Sequence, residues 1–482
     1  MAYKHGIYGS EVATSLVPMT TIAAGLPVVF GTAPVHLAAN PANANSLVLC
    51  SEYKEAVTQL GYSADWENYT LCEFMKSQFV LFNMAPIVFV NVLDIKKHKK
   101  SVAATDVNLA EGTIILSVPA IASTLKVKLA AADETALVLN TDYTAAHDSD
   151  GNIIITPLAT GKASVATKLN IAYDVVDPSM VTKNDIIGGV DLVTGAYKGL
   201  ELVNMVYSKL KLIPGIILAP KWSSDSGVAA VMRAKQTNID GHFEAISLCD
   251  IDTAAVVKYS DCVAWKEQNN HSDAREILLW PMLGLSGERY HLSTQAAGVI
   301  CKTDAANDDI PYVSPSNKAL QCDSMILANG TEVEMGTSAG TYLNGCGIVT
   351  AANYGGWKLW GNRTTAYPDT TDVKDSMIPI RRMFNWVNNT LITTFWSKID
   401  DPMNKAFIKT IMDSANIWMN GLAKRGVILG GRIEFREDEN TTTDLMDGII
   451  RFHVYLTPPS PARDIEFVQE YDPDYISTLF SA

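Results

Sequence analysis

RIEFREDENTTTDLMDGIIRFHVYLTPPSPARDIEFVQEYDPDYISTLFSA, residues 432–482, decides how the chain is read: two strand-like runs, a proline hinge, and a third run with nothing behind it to pair with. Residues 449–456 (IIRFHVYL) are rich in β-branched and aromatic types, which suit a pleated, half-buried surface. Pro458, Pro459 and Pro461 stop that strand and hold the chain extended, because proline fixes φ and lacks a backbone donor. Residues 464–470 (DIEFVQE) begin by alternating, with Ile465 and Phe467 on one face, as a strand in want of a sheet does. A strand tethered beyond a stiff hinge can complete a neighbouring chain's sheet. The pattern predicts such an exchange, carried by Ile465, Phe467, Val468 and Tyr471.

These residues also resemble a family. Contractile-tail sheath proteins of phages, prophages and phage-tail-like bacteriocins close on an acidic Glu-Asn turn, an aromatic strand, a Pro-rich hinge and a Glu-Tyr-Asp-Pro tail. Here those elements are Glu439-Asn440, residues 452–455, residues 458–461 and residues 470–473. The opening agrees, with His5-Gly6-Ile7-Tyr8 and then residues 25–33 (GLPVVFGTA). The resemblance implies a structural protomer of a helical sheath around a tail tube, whose contraction, triggered at a baseplate, drives the tube through a target cell envelope. It implies as partners other copies of the chain, the tube protein, and the baseplate and tail terminator proteins, with no cofactor. It places Ile7 and Tyr8 on an N-terminal arm that contacts other subunits, and the protein in a virion tail assembled in the bacterial host cytoplasm.

Composition is compatible with that picture. At 482 residues the chain exceeds what one core usually supports, so several domains are expected, and 48% apolar residues suffice to fill them. A net charge of −14 argues against nucleic acid or an anionic membrane surface as partner, since both carry the same sign. The seven cysteines are scattered and form no C-x-x-C, which implies neither a disulfide framework nor a zinc site and suits a reducing compartment. MAYKHGIYGSEV has no apolar signal-peptide core, and no run of 18 apolar residues occurs, so no membrane insertion is expected.

The expected organisation is α/β and α+β multidomain. Residues 1–20 read as an extended arm. Residues 21–95 combine a buried strand and turn over 25–33, helical periodicity over 51–82 and a continuous apolar run (IVFVNVL, 87–93), giving an α/β segment. The lysine run at 95–100 reads as a solvated linker. Residues 101–180 carry short strands between Ala, Thr, Asp and Gly turns, the pattern of an inserted β-sandwich. Residues 181–365 alternate helix and strand, with a buried strand at 215–219 (GIILA) and a further helix around 253–269, which implies a parallel sheet; for this region the family resemblance implies a subtilisin-like topology. Residues 366–460 form an α+β domain opening on two helices, the second capped at Asp401-Pro402. Residues 461–482 are the strand-exchange arm.

One match to catalytic chemistry competes with this reading. Gly336-Thr337-Ser338-Ala339-Gly340 fits the G-x-S-x-G nucleophile elbow and resembles the serine motif of subtilisins, so a serine hydrolase or degenerate protease built on Ser338 is the alternative function. An elbow needs a strand directly before the serine and a helix directly after it. The glycine-rich continuation, TYLNGCGIVTAANYGGW, predicts a loop instead, and His242, His271 and His291 lack a His-Gly setting. A surface adhesin with a β-sandwich is a third possibility, which should carry a signal peptide. Gly188-Gly189 and Gly355-Gly356 form no phosphate-cradling array. The acidic runs at 304–309 and 437–439 read as solvated turns rather than metal sites.

Overall fold

The computed structural model describes residues 16–20, 22–148 and 150–480; Ile7 and Tyr8, and with them most of the N-terminal arm, lie outside the described residues. The chain begins with β1 (Pro27–Gly31), β2 (Val48–Cys50) and β3 (Ile87–Asn91). It continues through β4 (Lys99–Asn108), β5 (Ile114–Leu116), β6 (Lys126–Lys128), β7 (Tyr143–His147), β8 (Ile153–Pro157) and β9 (Lys168–Val176). A hairpin of β10 (Gly189–Val190) and β11 (Tyr197–Lys198) leads to β12 (Ile216–Leu218), β13 (Ile246–Asp250) and β14 (Glu276–Leu279). Then come β15 (Met282–Leu285), β16 (Glu288–Tyr290), β17 (Ser324–Ile326), β18 (Ile348–Asn353) and β19 (Trp357–Trp360), and finally β20 (Gly430–Glu434) and β21 (His453–Thr457).

The central sheet has the order β19-β18-β14-β13-β12-β1-β3-β2, with six parallel strands inside and an antiparallel strand at each edge. Its inner strands are continuous apolar runs because both faces are covered, and β1, β3, β12 and β13 are buried at every residue. Side chains alternate between the faces: Val28, Phe30 and Val88 join one core, under the helix Ser226–Lys235, while Val29 and Phe89 join the other, under the helix Leu292–Ala305. The helical layer crosses β1 so closely that a Cβ on Gly31 would lie 2.3 Å from Thr70 Oγ1, which is why glycine ends that strand.

Strands β4 to β9 form two three-stranded antiparallel sheets, β4-β9-β6 and β5-β8-β7, around one apolar cluster that includes Ile114, Val127, Ile153, Leu169 and Ile171. Entry and exit are adjacent, since Lys99 pairs with Val176 and Asp177 N donates to His98 O at 3.0 Å. Ile121 and Val176, however, are buried in the main core.

At the C-terminal side the helices Ile378–Phe395 and Lys405–Lys424 and the hairpin β20–β21 enclose Met383, Trp386, Ala415, Met419 and Ile433. This unit is joined to the central sheet by polar contacts. Arg382 makes a bidentate pair with buried Asp304, Asn389 exchanges two hydrogen bonds with the backbone of Glu244 (3.0 and 2.8 Å), and Trp386 Nε1 donates to Ile22 O at 2.8 Å.

Four local expectations need correction. Residues 95–100 are no solvated linker: His98 is buried, and Lys97 and Lys99 reach Asp185 and Asp174 at 2.5 and 2.6 Å, so long stems let a strand begin in a lysine run. The second C-terminal helix is capped by Asn404, whose Oδ1 accepts from Phe407 N at 2.9 Å, while Asp401 instead pairs with Lys398. The expected helix over 253–269 is confined to Cys262–Gln268 after a short 3-10 turn. The strand expected from Ile449 starts only at His453, because the Asn440 side chain takes both backbone groups of Arg451 (2.7 and 2.9 Å) and removes it from pairing.

Candidate assembly surface

The hairpin β20–β21 runs antiparallel from Gly430↔Thr457 to Glu434↔His453, and among the described residues no third strand joins it. Its two edges are unequal. Asn416, on the helix Lys405–Lys424, donates from Nδ2 to Ile433 O (3.0 Å) and accepts at Oδ1 from Ile433 N (2.8 Å), sealing the β20 edge at that residue. Ile433 lies opposite Val454, so in antiparallel geometry Val454 also turns its backbone groups outward, on the β21 side. No side chain of the described residues caps that side as Asn416 caps the other, and β21 is only half-buried. Arg432 lies over the Tyr455 ring at 3.7 Å, while Arg432, Arg436 and Arg451 are already paired with Glu434, Asp438 and Asp444.

Beyond the prolines the chain leaves the body. Residues 464–470 form no strand and are exposed throughout, with Ile465 at 68%, Phe467 at 84%, Val468 at 86% and Tyr471 at 78%. A 3-10 turn, Pro473–Phe480, follows, and it too exposes Tyr475 and Leu479. Such a succession of exposed large apolar side chains marks a segment that is covered by something else. Sequence reasoning found the tail through its alternation and hinge. It missed Asn416 and Asn440, the side chains that shape the hairpin's edges, because an Asn on a helix or in a turn has no signature of its own.

Ser338 does not form an elbow. It lies exposed in the first turn of a helix, Thr337–Gly345, which corrects the expected loop: Gly340 is there for packing, since a Cβ would stand 3.3 Å from Trp360. The preceding strand, β17, ends at Ile326, and no hydrogen bond among the described residues links Ser338 to a histidine. The histidine at a strand end is His291, bonded to Glu73 at 2.8 Å, with Asp250 taking Ser293 N at 2.9 Å and also Ser293 Oγ. Burial opposes a charged imidazole, yet Glu73 and Asp250 outweigh it and hold His291 up to about 9. Glu73 also accepts from His291 N, so these carboxylates satisfy the opening N–H groups of the helix Leu292–Ala305 rather than activating a nucleophile. The crevice beyond the carboxyl ends of β1 and β12 is likewise filled: Thr32 Oγ1 donates to Asn68 O (2.7 Å) and Lys221 Nζ to Glu67 O (2.6 Å).

Comparison with known proteins agrees with a structural role. No family model matches the chain. It is 25% identical to the tail sheath protein of Burkholderia phage BcepMu over 505 residues, covering 99% of this chain and 98% of that protein. It is 22% identical to a putative prophage major tail sheath protein of Pseudomonas aeruginosa strain UCBPP-PA14, over 78% of this chain and 97% of that one. Among solved structures, its fold matches the chain in the anti-feeding prophage helical sheath in its contracted state, with a TM-score of 0.57, 13% identity and coverage of 98% and 100%. A chain of the anti-feeding prophage baseplate matches equally well, at 14% identity and TM-score 0.57.

Proposed function

The chain belongs with the contractile tail sheath proteins, as a structural protomer and not an enzyme, and from that premise we propose how its copies are joined. Residues 461–482 of one copy lie along the outer edge of β21 in the next, with Ile465 and Phe467 packed against its hairpin. The observation that carries this is the pairing of an exposed apolar tail with a sheet whose other edge Asn416 has sealed. Because the hairpin arginines are already neutralised locally, backbone hydrogen bonds and apolar burial hold the contact, not charge.

The energies set how strong one such link is. About six backbone hydrogen bonds contribute roughly 0.5 to 1.5 kcal/mol each, and each of two buried apolar side chains roughly 1.5 to 3. Ordering about seven residues costs on the order of 1 to 2 kcal/mol apiece. A single link is marginal, so many links form together or not at all. In this reading the polymer surrounds a tail tube, meets baseplate and terminator proteins at its ends, and assembles in the host cytoplasm before contraction drives the tube through the target envelope. Ile7 and Tyr8 supply a second intersubunit contact.

For the domains, we infer that residues 21–95 and 181–365 make one subtilisin-like α/β unit, supported by β1 and β3 sharing a sheet with β12. Residues 101–180 are then an inserted β-sandwich, supported by their two sheets and separate cluster, and 366–460 an α+β domain. Negative-stain microscopy of the purified chain tests the function: helical tubes are expected, and a protein that stays monomeric at every concentration and salt tried refutes it.

A further inference from the structure

The hairpin β10–β11 carries a feature that the fold of one copy does not use. Its tip, Asp191-Leu192-Val193-Thr194-Gly195, exposes Leu192 at 98% and Val193 at 94%. The tip is nonetheless fixed. Asp191 Oδ1 accepts from Val193 N and Thr194 N at 3.0 and 2.9 Å, its Oδ2 pairs with Lys198 at 2.7 Å, and its carbonyl accepts from Gly195 N at 2.7 Å. Two aliphatic side chains carried on a hydrogen-bonded turn form an anchor whose backbone loses little freedom on docking.

The same molecule has a recess of matching chemistry. A cavity of about 340 Å³, at the small end of the range for binding pockets, is lined by Leu26, Pro27, Met84, Ile87 and Ile213 among others. Gln78 lines it too, fully buried, with Nε2 committed to Thr294 O at 2.9 Å and Oε1 without a partner among the described residues. Of the cavity's charged lining residues, buried Asp304 is neutralised by Arg382, while Asp309 and Lys211 are exposed and of opposite sign; the tip's Asp191 is paired with Lys198.

Their positions decide who the occupant is. Leu26, Ile87 and Ile213 lie at the amino ends of β1, β3 and β12. The hairpin is anchored at the carboxyl end: Gly199 N donates to Asn45 Oδ1 (2.8 Å), and Asn45 N donates to the carbonyl of Asn91, the last residue of β3. Knob and recess thus sit at opposite ends of the central sheet and cannot meet within one copy. Between copies they make a heterologous, head-to-tail contact, the kind that builds open helices.

We propose that the Leu192/Val193 tip of one copy seats in this cavity of a second copy, a contact separate from the tail exchange and resting on the sheath reading. The test uses the full chain polymerised from a mixture of isotopically light and heavy copies, with Leu192→p-benzoylphenylalanine as photo-crosslinker and mass spectrometry to map the products. Light–heavy crosslinks to residues 20–27, 84–87 or 207–213 are expected. The double variant L192D/V193D should fold with unchanged thermal stability and need about tenfold or more protein to polymerise. Tubes of the photo-crosslinking variant whose crosslinks map elsewhere, or a double variant that polymerises at the wild-type concentration, overturn this contact and leave the tail exchange standing. A wild-type chain that never polymerises refutes the sheath reading and this contact together.

Discussion

His291 shows how a single side chain makes stability depend on pH. Its folded value near 9 lies above the ordinary 6.5, so its contribution is complete below pH 6.5 and is lost as pH rises through 9. Thermal melts should therefore show stability falling between pH 6.5 and 9, by a few kcal/mol at most, and the double variant Glu73→Gln/His291→Gln should flatten that part of the profile. An unchanged slope would mean the pair is not ionised in the native chain. In the proposed exchange Phe467 acts in the opposite regime, between molecules. Phe467→Asp removes roughly 1.5 to 3 kcal/mol of apolar burial from each link and leaves a carboxylate in the neighbour's hairpin. The expected outcome is a folded monomer with wild-type melting that sedimentation finds unpolymerised. Ser338→Ala should change neither assembly nor melting, and Ser338 should not label with a fluorophosphonate, since no histidine among the described residues is hydrogen-bonded to it.

At the scale of elements, truncation after Pro461 should abolish tubes while leaving the thermal midpoint within a degree or two, because residues 464–470 are exposed throughout. A markedly earlier melt would show that the tail packs on its own subunit. Elements were legible in the sequence where the physics is local. The runs at 87–91 and 216–218 announced buried parallel strands, since only a doubly covered strand can be apolar throughout, and the tail announced itself by alternation behind prolines. What escaped depended on partners distant in sequence. Nothing near Gly340 says that Trp360 will need its missing side chain, so the helix Thr337–Gly345 read as a loop. Nothing near Arg451 says that Asn440 will take its backbone, so β21 read four residues too long. Glu73, Asp250 and His291 converge from three remote segments, and no spacing rule could have joined them.

For the whole molecule, the two small sheets formed by β4 to β9 offer the cleanest separation. Because Lys99 pairs with Val176 at their neck, replacing residues 101–174 with a short Gly/Ser linker should leave a folded, assembling remainder, with a modest loss of stability where Ile121 leaves the main core. Circular dichroism, a melt and microscopy check this; an aggregated or molten product would show that the two cores are one.

The seal that Asn416 places on Ile433 reaches further than the hairpin it shapes. In the proposed exchange, a sheet that can be lengthened from one side only gives every copy one tail to offer and one berth to fill. Connectivity in such a lattice is directional, and a copy lacking its tail can still receive but cannot pass the thread on. Mixed into wild-type protein at a small fraction, tail-less copies should therefore act as chain terminators, shortening tubes far out of proportion to their number, whereas copies with a blocked β21 edge should leave their predecessors' tails unclaimed.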